Sequence, residues 1–555
     1  MRRYLAGCLV GLGLAFASPS ASALVIEAED APIHTAGDRQ ETVWNLHSTG
    51  EVGAHLTVPQ DATYTVVVRA AGTPCRGVWP RMAVYVNHEP AGKAVSVAAK
   101  EHAEHTFRVH LPAGAHAVTV AFLNDAYEGP GQDRNLLVDR FAVRAPDGAK
   151  PPTMASAEEV AAEAEKRAQE ALKRAALGAE RHRKSGATVT VLRGGKPVAD
   201  ASVTAEQTGH AFLFGCNIFG FDRLKTDEAN AAYKQRFADL FNYATLGFYW
   251  RSYEPQRGKP RYDYTDTVVA WCQEHGIRMK GHPLLWAHRA GVPTWSDGQP
   301  APDLQKARVQ EIVRRYHGKI DFWEVVNEAS HLHGVPIAGP YRWAQEADPT
   351  AHLILNDYRV FTDGNPAFYQ MLEKAMADGV PFQGVGIQAH EPRTTWFPAD
   401  RVQQVLDQYA RLGKAIHITE FEPQSGGKPI AGARQGTWDE AAQAEFAERF
   451  YRICFGHPAV VAITWWDLCD AASWLPGGGL VRKDLSPKPV YERLKRMIHG
   501  EWTTRAAGPT DRTGTFRLRG FHGTYRVTVE ADGKTATTDA TLEKGKANAW
   551  TVRVE

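Results

Sequence analysis

Residues 210–505 predict a (β/α)8 barrel, an α/β fold, flanked by an N-terminal antiparallel β-sandwich and a small split β-sandwich. Three observations carry this. Eight apolar runs recur along the segment, amphipathic stretches separate most of them, and no glycine-rich phosphate loop follows any run as an open doubly wound sheet would show.

The elements follow in chain order. Residues 1–23 read as an export leader: Arg2 and Arg3, an apolar stretch from Leu5 to Phe16, then Ala21-Ser22-Ala23 as an A-x-A cleavage site. That stretch is too short for a membrane span, so secretion to the periplasm or medium is expected. Leu5-Ala6-Gly7-Cys8 imitates a lipoprotein signal, but the apolar core follows the cysteine instead of preceding it. Removal of the leader leaves Cys75, Cys216, Cys272, Cys454 and Cys469, an odd set without metal or redox spacing; Cys454 and Cys469 are close enough to pair.

Residues 24–147 alternate apolar and polar with period two in TYTVVVRAA (63–71), RMAVYVN (81–87), HTFRVHL (105–111), HAVTVAFLN (116–124) and LLVDRFAV (136–143), predicting the sandwich. Residues 148–184 are a linker and a helix so rich in Ala, Glu, Lys and Arg that a solvated spacer is expected. Two strands in 185–209 cannot form a core alone, so they are expected to join 511–555 in one split sandwich.

The barrel strands are predicted at 211–217, 242–250, 277–286, 320–328, 352–357, 384–390, 415–421 and 460–467. With 64 Lys+Arg against 63 Asp+Glu, the formal charge of +1 supplies no field for polyanions, which argues against nucleic-acid or anionic-membrane partners. A monomer is expected.

Barrels work at the C-terminal ends of their strands. Those ends here carry His282 and Trp286, Asn327 and Glu328, Asn356 and Asp357, Gln388 and His390, Glu420 and Glu422, then Trp465, Trp466 and Asp467. Glu328 and Glu420 each close an apolar run. Two carboxyls across one barrel mouth suit cleavage of a glycosidic bond, one protonated to donate to the leaving oxygen and one ionised to attack the anomeric carbon. Burial is expected to raise one, while bonds to a neighbouring His or amide hold the other low. Asn327 is placed to meet a sugar 2-hydroxyl, and the tryptophans offer faces for pyranose rings. Two other readings stay open: a barrel that binds glycan without catalysis, and a metal site drawn from His282, His288, His331, His333, His390 and His417, which no strand-one His-x-His or helical HExxH motif accompanies.

The ordered motifs W-x3-E-P-x2-G from Trp250, GHPLLW (281–286), EVVNEA (324–329), NDY (356–358), GIQAH (386–390), HITEFE (417–422), WWDLCDAASW (465–474) and SPKPVY (486–491) resemble those of family-10 glycoside hydrolases. These are retaining endo-β-1,4-xylanases built on a (β/α)8 barrel. The resemblance implies Glu328 as acid/base, Glu420 as nucleophile and His390 orienting Glu420. It also implies that His282, Asn327 and Gln388 bind the sugar beside the scissile bond, and that Trp286, Trp466 and Trp474 wall the cleft. One block departs. Where the family has T-x-E-N-x-x-K-W, this chain has YATLGFYW (243–250), so Thr245, Leu246 and Tyr249 replace residues that grip the glycone sugars. The N-terminal sandwich is similar to calcium-dependent xylan-binding modules through FLNDAYEGPGQDRNLLVDRFAV (122–143), which implies Asp125, Asp133 and Asn135 as oxygen ligands for Ca2+. The expected partner is a β-linked polysaccharide or oligosaccharide, with no cofactor for catalysis.

Overall fold

A computed structural model describes residues 23–332, 334–432 and 434–555. The leader expected over 1–23 lies outside the described residues except for Ala23. The chain divides into two compact units, Met1–Glu163 and Ala164–Glu555.

In the first unit two antiparallel sheets face each other, as the alternation requires. One is ordered Ala103–Leu111, Ala62–Thr73, Asp133–Arg144, Val43–Leu46, Asp38–Gln40; the other runs Thr153–Met154, Gly50–Val58, Gly114–Phe122, Arg81–Val86, Glu89–Pro90. Inward residues such as Val66, Val68, Phe141, Val84, Val118 and Val120 form the core between them. The central strand Gly50–Val58 escaped the pattern because glycines interrupt it. Gly53 is needed there: a Cβ would lie 2.3 Å from the Val118 carbonyl of the neighbouring strand.

In the second unit eight strands close into a parallel barrel: β1 Leu213–Asn217, β2 Tyr243–Gly247, β3 Arg278–His282 with a short continuation at Leu285–Trp286, β4 Phe322–Asn327, β5 His352–Asp357, β6 Gly384–Ala389, β7 Ala415–Phe421 and β8 Val460–Trp465. Each pairs with the next, and β8 pairs with β1 to complete the ring. Leu213, Tyr243, Phe322, Ile354 and Ala462 plug its lower end.

The predicted split sandwich is present. Lys184–Arg193 pairs with Thr515–Phe521 and Ala549–Arg553, and Ser202–His210 pairs with Gly523–Ala531. It also recruits Arg505–Pro509, which the sequence reading left outside it.

Two expectations are overturned. The helix Ala157–His182 is not a solvated spacer: Ala168, Ala171 and Ala175, spaced three and four apart, are buried in the barrel's core cluster. Arg167 and Arg174 pair with Asp400 and Asp407, each at 2.9 Å. A stripe of alanines is apolar yet small, so its hydropathy is faint while its fit is close. Cys454 and Cys469 do not pair either; all five described cysteines are free and buried, small apolar groups in packed surroundings.

Candidate active site

The barrel's upper layers turn polar strand by strand. Glu324, inside the apolar run of β4, is fully buried beside Lys280 of β3, whose ammonium donates to it, and beside His282, whose Nδ1 contacts its other oxygen. Burial alone would raise the Glu324 carboxyl, but those two neighbours outweigh it and hold the group down at about 2. Asn356 of β5 donates through Nδ2 to Glu324 at 3.2 Å and to Asn327 Oδ1 at 2.9 Å, while Thr419 Oγ1 donates to Asn356 Oδ1 at 2.6 Å. Every acceptor of this buried platform is tied. Register shifts between Glu324 and Asn327, Ile387 and Gln388, and Ile418 and Phe421 re-aim side chains where these strands reach the mouth.

On that platform stand the two glutamates. Glu328 follows β4 with φ of +56°, an uncommon conformation for a residue with a Cβ and a mark of local constraint. Its backbone N–H donates to the Asn356 carbonyl at 3.1 Å. Gln388 Nε2 donates to Oε1 and Trp286 Nε1 to Oε2, both at 3.0 Å. Asp357 secures the turn beyond it by accepting from the Ser330 backbone at 2.8 Å and contacting His331 Nδ1 at 2.6 Å. Burial raises the Glu328 carboxyl despite the Gln388 bond, and the Asp357 charge adds to the rise.

Glu420 ends β7, opposite Gln388 in register and 5% exposed. His390 Nε2 lies 2.9 Å from its Oε2, and His282 Nε2 lies 3.8 Å from its Oε1. Here the structure corrects an expectation, because Glu420 is not held low. Burial pushes it up, and the negative charges of Glu324 and Glu328 outlast the pull of His282, leaving it at about 8. Burial drives the His390 ring down to about 4, so it offers Glu420 a hydrogen bond but no positive charge.

The remaining predicted residues divide. Asn327, 2% exposed, is engaged by Asn356. His282 is 1% exposed, with Nδ1 against Glu324 and Nε2 3.2 Å from the Tyr249 hydroxyl, so its ring is tied into the floor of the site. Trp466 is nearly buried at 5%, edge-on to His282 and His390, whereas Trp474 stands 48% exposed beside His390 as a free face. The six-histidine metal set does not assemble. Among the described residues, His282, Glu324 and Glu420 alone bring ligand atoms within 4.8 Å of one another, and the Lys280 ammonium already neutralises Glu324; His333 lies outside the described residues. Sequence reasoning passed over Lys280, Glu324 and Phe219. A charge in the middle of β4, inside an otherwise apolar run, was the available signal for Glu324.

In the first unit, Asp125 and Asp133 come close enough for their charges to interact, and with burial this raises Asp125. Asn135 Nδ2 donates to Asp133 Oδ2 at 3.1 Å, and Asn135 Oδ1 is buried without a partner. Two carboxylates near enough to interact and an orphan amide oxygen are the donor chemistry that a hard divalent cation takes. The Arg134 guanidinium fixes the loop by donating to the carbonyls of Val78 at 2.8 Å and Cys75 at 3.2 Å.

Residues 214–497, just over half of the chain, match the family described as Glycosyl hydrolase family 10. The chain belongs to that family. Residues 65–156 match the family described as Ca-dependent carbohydrate-binding module xylan-binding. Similar curated proteins include anti-sigma-I factor RsgI6 of Acetivibrio thermocellus, 30% identical over 352 residues, which are 61% of this chain and 44% of that protein. Endo-1,4-beta-xylanase 2 of Arabidopsis thaliana is 27% identical over 63% of this chain and 32% of its own length. Endo-1,4-beta-xylanase B of Thermotoga neapolitana is 29% identical over 46% of this chain and 81% of its own length. The chain thus spans less than half of the first two relatives. A crystal structure of native xylanase 10B from Thermotoga maritima aligns with TM-score 0.45 and 27% identity, over 52% of this chain and 96% of that one.

Proposed function

We propose that this family-10 chain is a retaining glycoside hydrolase that cleaves β-1,4-linked xylan or a decorated relative. The observation that carries the reading is the pair Glu328 and Glu420, set on one polar platform, Glu420 feeling the charge of Glu328 and each held by its own hydrogen-bond partners. Glu420 attacks the anomeric carbon while Glu328 gives its proton to the departing oxygen, breaking the C1–O bond and leaving a glycosyl ester on Glu420. Water, deprotonated by Glu328, then attacks C1 and frees Glu420. Gln388 and Trp286 keep Glu328 aimed through both protonation states, and the bulk of either donor also shields it from solvent.

The N-terminal sandwich serves as the carbohydrate-binding module. Its Asp125, Asp133 and Asn135 would hold Ca2+, which when bound supplies a hard Lewis-acidic centre for sugar hydroxyls. Export is supported by the basic, apolar and A-x-A order of residues 1–23.

Glu420→Ala is expected to abolish turnover. Glu328→Ala should lower it by about 10²–10⁴-fold on xylan and least on aryl glycosides with good leaving groups, since these need no proton donor. Assays of new reducing ends across a panel of β-glycans, alongside aryl glycosides, check both. Full activity in either variant rejects the assignment, and a wild-type protein that binds glycan without cutting it would be a binding module.

A further inference from the structure

The glutamates have different neighbours, and this gives the cleft a direction. Glu328, which serves the leaving group, is surrounded by Trp286, Gln388 and the turn held by Asp357. Glu420, which takes the sugar that stays, faces His282 and the side of the mouth formed by β8, β1 and β2. That side is closed by aromatic rings. Phe219, just beyond β1, meets Tyr249 edge to face at 5.8 Å and Trp466 at 5.6 Å. Tyr249 meets His282 at 5.4 Å and Trp286 at 5.9 Å.

Both rings lie over Gly247 at the tip of β2, where a Cβ would come within 3.1 Å of Phe219 and 3.5 Å of Tyr249. Most of the polar groups along this wall are already paired. The Tyr249 hydroxyl is on His282 Nε2 at 3.2 Å, and Asn217 Nδ2 donates to Asp467 at 3.0 Å while its Oδ1 accepts from the Phe219 backbone at 3.2 Å. Thr245 is fully buried and Leu246 is 3% exposed. Apart from the Thr245 hydroxyl, which is buried and unpartnered, these described polar groups of the wall are paired, so little is left to bond the hydroxyls of a second sugar, and such pairing is what a polar glycone site trades on.

We propose that Phe219, Tyr249 and Trp466 close the glycone side behind a single pyranose, so that the enzyme takes β-1,4-xylosyl chains by their non-reducing end and removes one sugar per cut. This rests on the retaining activity proposed above. Phe219 and Tyr249 act here as specificity-determining residues.

The full chain incubated with xylohexaose labelled at its reducing end gives the test, sampled at low conversion. The expected first products are xylose and a labelled chain one unit shorter. Aryl β-xyloside should exceed aryl β-xylobioside in kcat/KM by about tenfold or more. Phe219→Ala should raise the bioside relative to the monoside by about tenfold, whereas Tyr249→Phe, which keeps the ring, should leave that ratio as in the wild type. Xylobiose or longer fragments as first products from the wild type overturn the inference while leaving the retaining activity in place. Absence of hydrolysis on every β-xylosyl substrate overturns the activity, and the inference with it. The wild-type product pattern decides even where a variant fails to fold.

Discussion

Two carboxyls with raised proton affinity stand close enough for the Glu328 charge to act on Glu420, so their titrations are linked. In the proposed mechanism Glu420 works ionised, so the rate falls as pH drops below its value; Glu328 works protonated, so the rate falls as pH rises above its own. Both are raised, Glu420 to about 8, so both limbs of the kcat/KM profile should stand above the ordinary carboxylate range. The Glu328 charge is one of the causes of the Glu420 rise. In Glu328→Ala, assayed on an activated aryl glycoside, the alkaline limb should therefore vanish and the acid limb should move to lower pH. An alkaline limb that persists would assign the proton donor elsewhere. Beneath the pair, Lys280 and Glu324 compensate each other at 1% and 0% side-chain exposure. Lys280→Met strands a buried carboxylate and should cost about 3–5 kcal/mol in denaturant unfolding, whereas a change under about 1 kcal/mol would mean the pair is wetter than its burial implies.

At the scale of elements, strand positions were legible because parallel barrel strands are buried on both faces and read as apolar runs; all eight fall within a residue or a few of their predicted bounds. Glu328 and Glu420 were legible because strand ends are where such runs turn polar. What stayed hidden was long-range: the burial and neighbouring charges that raise Glu420, the bonds that tie His282 into the floor, and the seat of the Ala157–His182 helix. That helix hides its packing surface in alanine and glycine. A Cβ on Gly178 would lie 2.3 Å from the Gly456 carbonyl, and one on Gly456 would lie 2.2 Å from the Ala175 carbonyl. Ala175→Leu, 3% exposed in the native chain, should therefore destabilise the second unit by about 1–3 kcal/mol through overpacking, although leucine is a good helix former. Thermal or denaturant melting of the full chain checks this; an unchanged midpoint would restore the solvated-spacer reading.

At the scale of the whole molecule, the proposed function assigns a hard-cation site to one unit and a pair of carboxyls to the other, and these chemistries predict separable responses. Asp125 and Asp133 repel each other, and Asn135 Oδ1 has no partner, so a divalent cation relieves both defects at once. The retaining pair sits on a platform whose buried carboxylate is already neutralised by Lys280. Chelation of the full chain with EGTA should thus cut its retention on insoluble xylan by about tenfold or more, and readded Ca2+ should restore it. Hydrolysis of a small soluble aryl β-xyloside should be unchanged by the same treatment. Asp133→Ala should reproduce the EGTA result without a chelator and be insensitive to added Ca2+. Undiminished retention in that variant would remove the loop from the binding site. A loss of aryl xyloside hydrolysis on chelation would instead place a metal among His282, Glu324 and Glu420 and require a different reaction from the one argued here.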